Sequence, residues 1–477
     1  MEIDNTTHDA RKSPKADVRI ATELRGRVAR LAPGSLLPSV RELSAEFGAS
    51  PVTVQRAMAQ LAREGLVNSR PGDGTYVAER SREVPRADSS WQLTVLGPAA
   101  DPIANAAFEL PVPGTLVLGS GYCDTSLQPL ALLAKAARRA AANARAWDRL
   151  AAEGHPELRL WFARDVGGNA RAEDVVLVAG GQAALAATFR TLVPFGGPIL
   201  LESPTYFGAL SVARSLGLKP VPVPLDAHGI RADLLEAAFA SSGARALYLQ
   251  PAFSNPSGVT LSAQRRKEVL EVAERAGAFV IEDDYARDLA FGAAPPPPLF
   301  RDAGDRVVYI RSLTKSTAPG LRVAGVIAKG PVLGRLRALR ATEDFFISGL
   351  LQDTALELVN AAGWGTHVQK LRHTLRERRD LAVRALNRFL PEARLSRIPE
   401  GGFSLWVELP LGVDDLVFVA AAARAGVSLT PGVPWFAAEK PGSFVRISTA
   451  GARGPDLETG IARLGSLELG RSSDRRR

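Results

Sequence analysis

Arg311-Ser312-Leu313-Thr314-Lys315-Ser316-Thr317-Ala318-Pro319-Gly320-Leu321-Arg322 follows directly on the apolar run Val307-Val308-Tyr309-Ile310. Such a run reads as a buried strand. The loop after it sets one lysine among hydroxyls, with an arginine seven residues beyond it. A lysine placed this way suits a Schiff-base amine that works beside a phosphate. Ser312 can hydrogen-bond that phosphate, and Arg322 can neutralise it by a charge-assisted contact. Read alone, the string fits equally well a surface loop in which Lys315 meets only water.

Further strands surround it. Val175-Val176-Leu177-Val178, Ile199-Leu200-Leu201, Ala246-Leu247-Tyr248-Leu249 and Phe279-Val280-Ile281 all read as buried and parallel. Helical segments rich in Ala, Leu and Arg separate most of them, which predicts a large α/β domain. Ile281-Glu282-Asp283-Asp284-Tyr285 ends a strand on carboxylates. A cofactor pyridinium nitrogen wants an Asp partner, because the carboxylate keeps the ring an effective electron sink. Asn255-Pro256-Ser257-Gly258 is a turn whose Asn can donate to a phenolic oxygen. Gly180-Gly181-Gln182 opens a helix after a strand, where backbone N–H groups and the helix dipole favour a phosphate. Tyr206 offers a flat ring for stacking. Singly, each has a plainer reading as a solvated loop, a common glycine turn or a packed ring.

In order, Gly-Gly-Gln, Pro-x-Tyr, Asn-Pro-x-Gly, Asp-Asp-Tyr, Ser-x-x-Lys and the following Arg resemble fold-type I pyridoxal-phosphate (PLP) enzymes of the aminotransferase class. The resemblance runs from about Gly119 to Leu464. It implies an α/β PLP-dependent transferase fold, with Lys315 as Schiff-base lysine and Asp283 on the ring nitrogen. Asn255 and Tyr285 would touch the phenolic oxygen, Gly181, Gln182, Ser312 and Arg322 the phosphate, and Tyr206 would stack on the ring. Arg446, in Phe444-Val445-Arg446-Ile447-Ser448, matches the arginine that grips a substrate or effector carboxylate. Two departures stand out. Gly181 and Ala183 replace the Ser and second Gln usual there, and Arg149-Leu150 replaces a Tyr-Gly pair whose tyrosine reaches the phosphate across a dimer. Whether Arg149 takes over that role is open.

The N-terminal stretch has a different pattern. Ser39 with Glu42 forms a capping box for a helix whose apolar side is Val40, Leu43, Ala45 and Phe47, closed by Gly48. Ser50-Pro51 starts a second helix with a core stripe of Val54, Met58 and Leu61, leaving Thr53, Gln55 and Arg56 free near its start. A short turn between two such helices is the geometry that lays the second in a major groove. Ser69-Arg70-Pro71-Gly72-Asp73-Gly74-Thr75 then makes a tight basic hairpin suited to phosphates or a minor groove. A small protein-interaction module is the plainer alternative. The spacing from Gly34 to Thr75 resembles the GntR superfamily, which implies DNA contacts from Ser39, Arg41, Thr53, Gln55, Arg56, Arg70, Gly72 and Gly74. Pro51 stands where that family commonly has arginine.

Composition agrees with this division. Lys plus Arg 59 against Asp plus Glu 50 gives a net charge of +9, which favours polyanions. The single cysteine, Cys123, excludes an internal disulfide and a Cys-based zinc site, so no metal is expected. With neither a membrane-length apolar run nor an apolar signal core, a cytoplasmic location is expected.

The joined halves resemble MocR-type regulators: an N-terminal winged helix-turn-helix plus a fold-type I domain with a mostly parallel central sheet. The expected parts are a disordered N-terminus at 1–16, the winged helix at 17–78 and a linker at 79–113. The large domain follows at 114–467, with a small C-terminal α+β subdomain from about 365, and a basic tail at 468–477. The resemblance implies a head-to-tail homodimer on operator DNA that senses PLP or its adduct with an amino acid. Similarity over Glu343 to Gln352 tilts the reading toward vitamin B6-linked members. An active aminotransferase with an appended DNA-binding domain is the alternative.

Overall fold

The computed structural model describes residues 16–70, 72–78, 89–96, 110–292 and 294–467. The expected basic tail, almost all of the expected N-terminal segment and most of the linker lie outside these residues. The chain divides into two compact units, Met1–Pro98 and Ala99–Arg477.

In the first unit, helices Ala16–Val28, Val40–Phe47 and Pro51–Arg63 precede an antiparallel hairpin, Val67–Arg70 with Gly74–Val77. Leu24, Leu43, Val54 and Leu61 are fully buried in their shared core. Truncating one such leucine costs about 2–5 kcal/mol, a large part of a small unit's stability. The capping box forms: Ser39 Oγ accepts from Glu42 N–H, and Ser39 N–H donates to Glu42 Oε2 at 2.7 Å. Gly48 closes that helix in the left-handed conformation at φ 57°. Its apolar side is narrower than the sequence predicts. Only Leu43 is buried, Val40 and Phe47 are half-buried and Ala45 is exposed, because eight residues give little more than two turns to face the core.

Among the described residues of the expected linker is a helix, Ser90–Val95, where the sequence showed no helical period. Six residues complete under two turns, too few for a period to register.

The second unit is built on an eight-stranded sheet. Its order is Val175–Val178, Ala324–Ile327, Val307–Ser312, Phe279–Asp283, Ala246–Leu249, Pro198–Ser203, Lys219–Asp226, Gly229–Ile230. All five runs read from the sequence are strands in it. Ala324–Ile327 is antiparallel to both neighbours, and Gly229–Ile230 turns back on the strand before it. The other pairings are parallel. Apolar clusters cover both faces, which is why these strands are continuous apolar runs rather than alternating ones.

Beyond it, Ser404–Glu408 and Phe444–Ser448 lead a four-stranded antiparallel sheet packed with helices Trp364–Phe389, Asp415–Arg424 and Gly454–Gly465. This small layer also takes in the start of the large domain. Leu116–Val117 pairs in parallel with Val427–Ser428.

Candidate functional site

Ligands in open α/β sheets gather beyond the carboxyl ends of parallel strands. Phe279–Asp283 and Val307–Ser312 run side by side, with Ile310 opposite Asp283, so both strands end at one place. Asp283 is 6% exposed, and its Oδ2 accepts from Tyr248 Oη and Gln250 Nε2, both at 2.8 Å. Burial raises its pKa, while these two donors and the nearby Lys315 charge hold it back. Neither bond uses Oδ1.

Lys315 follows Ser312 in the next turn. Its Nζ donates to Gly121 O at 2.9 Å and stands 4.0 Å from the centre of the Tyr122 ring. Burial, aided by the charges of Arg446 and Arg322, lowers its pKa to about 8. Near neutrality a useful fraction of this amine is therefore unprotonated and nucleophilic.

A cup lies beside it. Gly180, at φ 84°, precedes helix Gly181–Leu192, whose start has no side-chain cap. Arg322, itself left-handed at φ 49°, lies against Gly180 and donates from Nη2 to Ala179 O at 3.1 Å. A Cβ on Gly181 would sit 3.8 Å from Ser312 Cβ. Ser312 Oγ donates to Thr314 Oγ1 at 3.1 Å and accepts from Thr314 N–H at 3.3 Å. Helix start, hydroxyl and guanidinium thus converge, as a phosphate requires. The Gln182 side chain turns elsewhere, donating to Gly208 O at 2.9 Å and accepting from Tyr206 Oη at 3.3 Å. Any share of Gln182 in the cup comes from its backbone.

Asn255 Oδ1 accepts from Ser404 Oγ at 3.0 Å, which leaves its Nδ2 as a donor. Tyr285 donates its hydroxyl to Phe253 O at 2.7 Å. It can reach a cofactor oxygen as donor only by giving up that bond.

Arg446 closes the other end. It is 2% exposed, its Nη2 donates to Gly119 O, and its guanidinium carbon stands 5.0 Å from the Trp435 ring. Its buried Nε has no hydrogen-bond partner. Burial lowers its pKa to about 10, opposed by Tyr285 and Tyr206. An orphaned guanidinium edge is costly unless something accepts from it, and a carboxylate is the natural acceptor. Amine, carboxylate, cup and orphaned arginine together fit a phosphorylated pyridine aldehyde and an amino acid. Sequence reading passed over Tyr122 and Gln250, took Tyr248 only as part of a strand, and placed Gly180 in the phosphate turn while giving the contact to Gly181 and Gln182. Only the glycine doublet carried a signal, and it did not say which glycine mattered.

Arg149 is exposed and lines a cavity of about 490 Å³ with Leu150, Ala151, Ala152, Ala341 and Phe345. Among the described residues no cluster fit for a metal ion occurs, and no helix is long and apolar enough to cross a membrane.

In the first unit Arg41, Gln55 and Arg56 are exposed. Ser39 is committed to its cap, and Thr53, half-buried, shares a 2.9 Å hydroxyl contact with Ser50. Arg70 lies 4.9 Å over the Tyr76 ring, and Gly72 and Gly74 have φ of 83° and 123° at the hairpin tip. Val52, 58% exposed beside these groups, was not singled out from the sequence. Its position outside the Val54-Met58-Leu61 stripe was the signal.

The sequence matches "Aminotransferase class I and II" over residues 113–464. The chain belongs to that family. Residues 17–77 match "Bacterial regulatory proteins, gntR family". The chain is 29% identical to the HTH-type transcriptional regulator YdfD of Bacillus subtilis over 444 residues, 91% of this chain and 92% of that one. It is 34% identical to a 2-aminoadipate transaminase of Thermus thermophilus over 318 residues, 66% and 79% of the two chains. Among solved structures, LysN from Thermus thermophilus, an α-aminoadipate aminotransferase complexed with N-(5'-phosphopyridoxyl)-L-leucine, superposes with a TM-score of 0.70. It is 31% identical and covers 76% of this chain and 95% of that one. A gntR-family winged helix joined to an aminotransferase-like domain is the MocR-type architecture, and pyridoxal phosphate is the cofactor that the family implies.

Proposed function

We propose that the chain is a PLP-responsive transcription regulator, cytoplasmic and dimeric head to tail, whose DNA affinity depends on occupancy of the Lys315 site. The observation that carries it is the half-buried Lys315 amine beside Asp283 and the Gly180–Arg322 cup, in one chain with a winged helix. Gly181 and Gln182 backbone groups, Ser312 and Arg322 would hold the cofactor phosphate, and Tyr206 would lie against its ring. Bound there, PLP supplies an aldehyde and an electron-accepting ring. Asp283 would keep a proton on the ring nitrogen, Asn255 would donate to the ring oxygen, and Arg446 would orient an effector carboxylate. Occupancy controls transcription only if states of different DNA affinity also differ in their affinity for the ligand. The effector is PLP itself or PLP with an amino acid, and vitamin B6 genes are the first targets to test.

The test is binding of the purified protein to DNA upstream of its own gene, at one fixed salt concentration, with and without PLP. A PLP-dependent affinity or footprint in the wild type, absent in Lys315→Ala, supports the reading. Equal binding in all samples, including wild type given PLP together with an amino acid, sinks it.

A second reading, an aminotransferase carrying a DNA-binding domain, draws support from the orphaned Arg446 Nε and the transaminase likeness. Turnover of amino acids with a 2-oxo acid, lost in Lys315→Ala, would establish it.

A further inference from the structure

The segment Gly119–Tyr122 crosses the site with its carbonyls on the two groups that a ligand needs. Gly119 O accepts from Arg446 Nη2 and, at 3.2 Å, from Thr430 Oγ1, while Gly121 O accepts from Lys315 Nζ at 2.9 Å. The segment is tethered at both ends. Upstream, Leu118 is fully buried, its N–H donates to Ser428 O at 2.9 Å, and its carbonyl accepts from Ser448 N–H at 2.7 Å. Downstream, Asp124 N–H donates to Ala450 O at 2.8 Å, and the Asp124 carboxylate accepts from Arg378 Nη1 at 2.5 Å. Five residues, Gly119 to Cys123, therefore bridge two fixed points over the lysine and the arginine. The chain arriving at the upstream point comes from the winged helix.

We propose that Gly119–Tyr122 is an internal stand-in for the ligand: its carbonyls hold Arg446 and Lys315, and a cofactor aldehyde and effector carboxylate displace them, passing occupancy to the chain that leads to the DNA-binding unit. This rests on the PLP reading above. The exclusion is chemical. When the neutral Lys315 amine condenses with an aldehyde, a C=N bond forms and one water leaves with the carbonyl oxygen and both amine protons. The nitrogen then has no N–H for Gly121 O. A carboxylate that takes both the Nε and Nη2 edge of Arg446 likewise competes with Gly119 O.

Hydrogen exchange of the amides spanning Leu116–Asp124, in the full-length chain, tests this, with PLP loading followed separately by visible absorbance. Loss of the Lys315 hydrogen bond should raise exchange there by about fivefold. Wild-type protein should show the rise on PLP addition. Lys315→Ala should show it without PLP and respond no further. Lys315→Arg keeps a cationic donor but cannot condense, and should stay protected with or without PLP. Loaded wild-type protein with unchanged or slower exchange would overturn the proposal. So would Lys315→Ala, folded by thermal melt, exchanging like the wild type. If absorbance shows that PLP never loads, the PLP reading fails, and the comparison of the two variants with wild type still decides whether Lys315 holds the segment.

Discussion

Arg322 fills the space that a side chain on Gly180 would need: its guanidinium carbon lies 2.8 Å from where a Cβ would stand. Gly180 also has φ 84°, so both space and backbone demand glycine there. Gly180→Ala should therefore push Arg322 from the cup at a cost of about 1–3 kcal/mol, weakening PLP binding by tenfold or so in an absorbance titration. Gly181→Ser is the contrast. A Cβ there meets only ordinary contact with Ser312, so PLP affinity should hold or improve.

Cofactor uptake should depend on pH through Lys315. Its amine is neutral above about 8, so the rate of appearance of the visible band should climb through that pH and then level. Arg446 disfavours a second positive charge beside it, so Arg446→Gln should raise the lysine pKa and move the midpoint upward. A midpoint that stays put would mean that burial alone depresses the amine.

Two buried glutamates predict an unusual stability profile. Burial raises Glu202 and Glu282 from 4.5 to about 8. Between those values the folded chain holds protons that the unfolded chain has released. Their stabilising effect is complete below 4.5 and is lost as pH rises through 8, with a slope of about 1.4 kcal/mol per pH unit for each group. Thermal midpoints should fall across that window. Glu202→Gln resembles the protonated form and should flatten the fall.

For DNA, Arg56→Ala should cost about 1–3 kcal/mol and relax preference at one base pair if it reads a base. Arg70→Ala on the hairpin should weaken all sequences alike and reduce the salt slope by about 1. Anisotropy titrations over a salt series separate the two outcomes, and intact affinity in both variants would mean that another surface meets the DNA.

The sheet strands were legible because strands buried on both faces must be apolar along their whole length. Ala324–Ile327 was not read, since a four-residue strand containing alanine and glycine barely differs from a loop. Lys315 and Asp283 were legible from their places at strand ends. Tyr248 was not, because its ring belongs to the core while only its hydroxyl enters the site. Gly119 and Gly121 act through carbonyls, which every residue has, on partners 327 and 194 positions away. Composition and spacing cannot signal such contacts.

The pairing of Leu116–Val117 with Val427–Ser428 also sets an order of events at the ribosome. Domains generally fold as units as they emerge, the N-terminal one first. The winged helix is complete once residue 78 has emerged, whereas the first strand of the large domain waits more than 300 residues for its partner. Every nascent chain thus passes through a stage that carries the DNA-binding unit without a complete large domain. A premature stop before Val427 would make that stage permanent, leaving the winged helix joined to a large domain that lacks both Val427–Ser428 and Arg446.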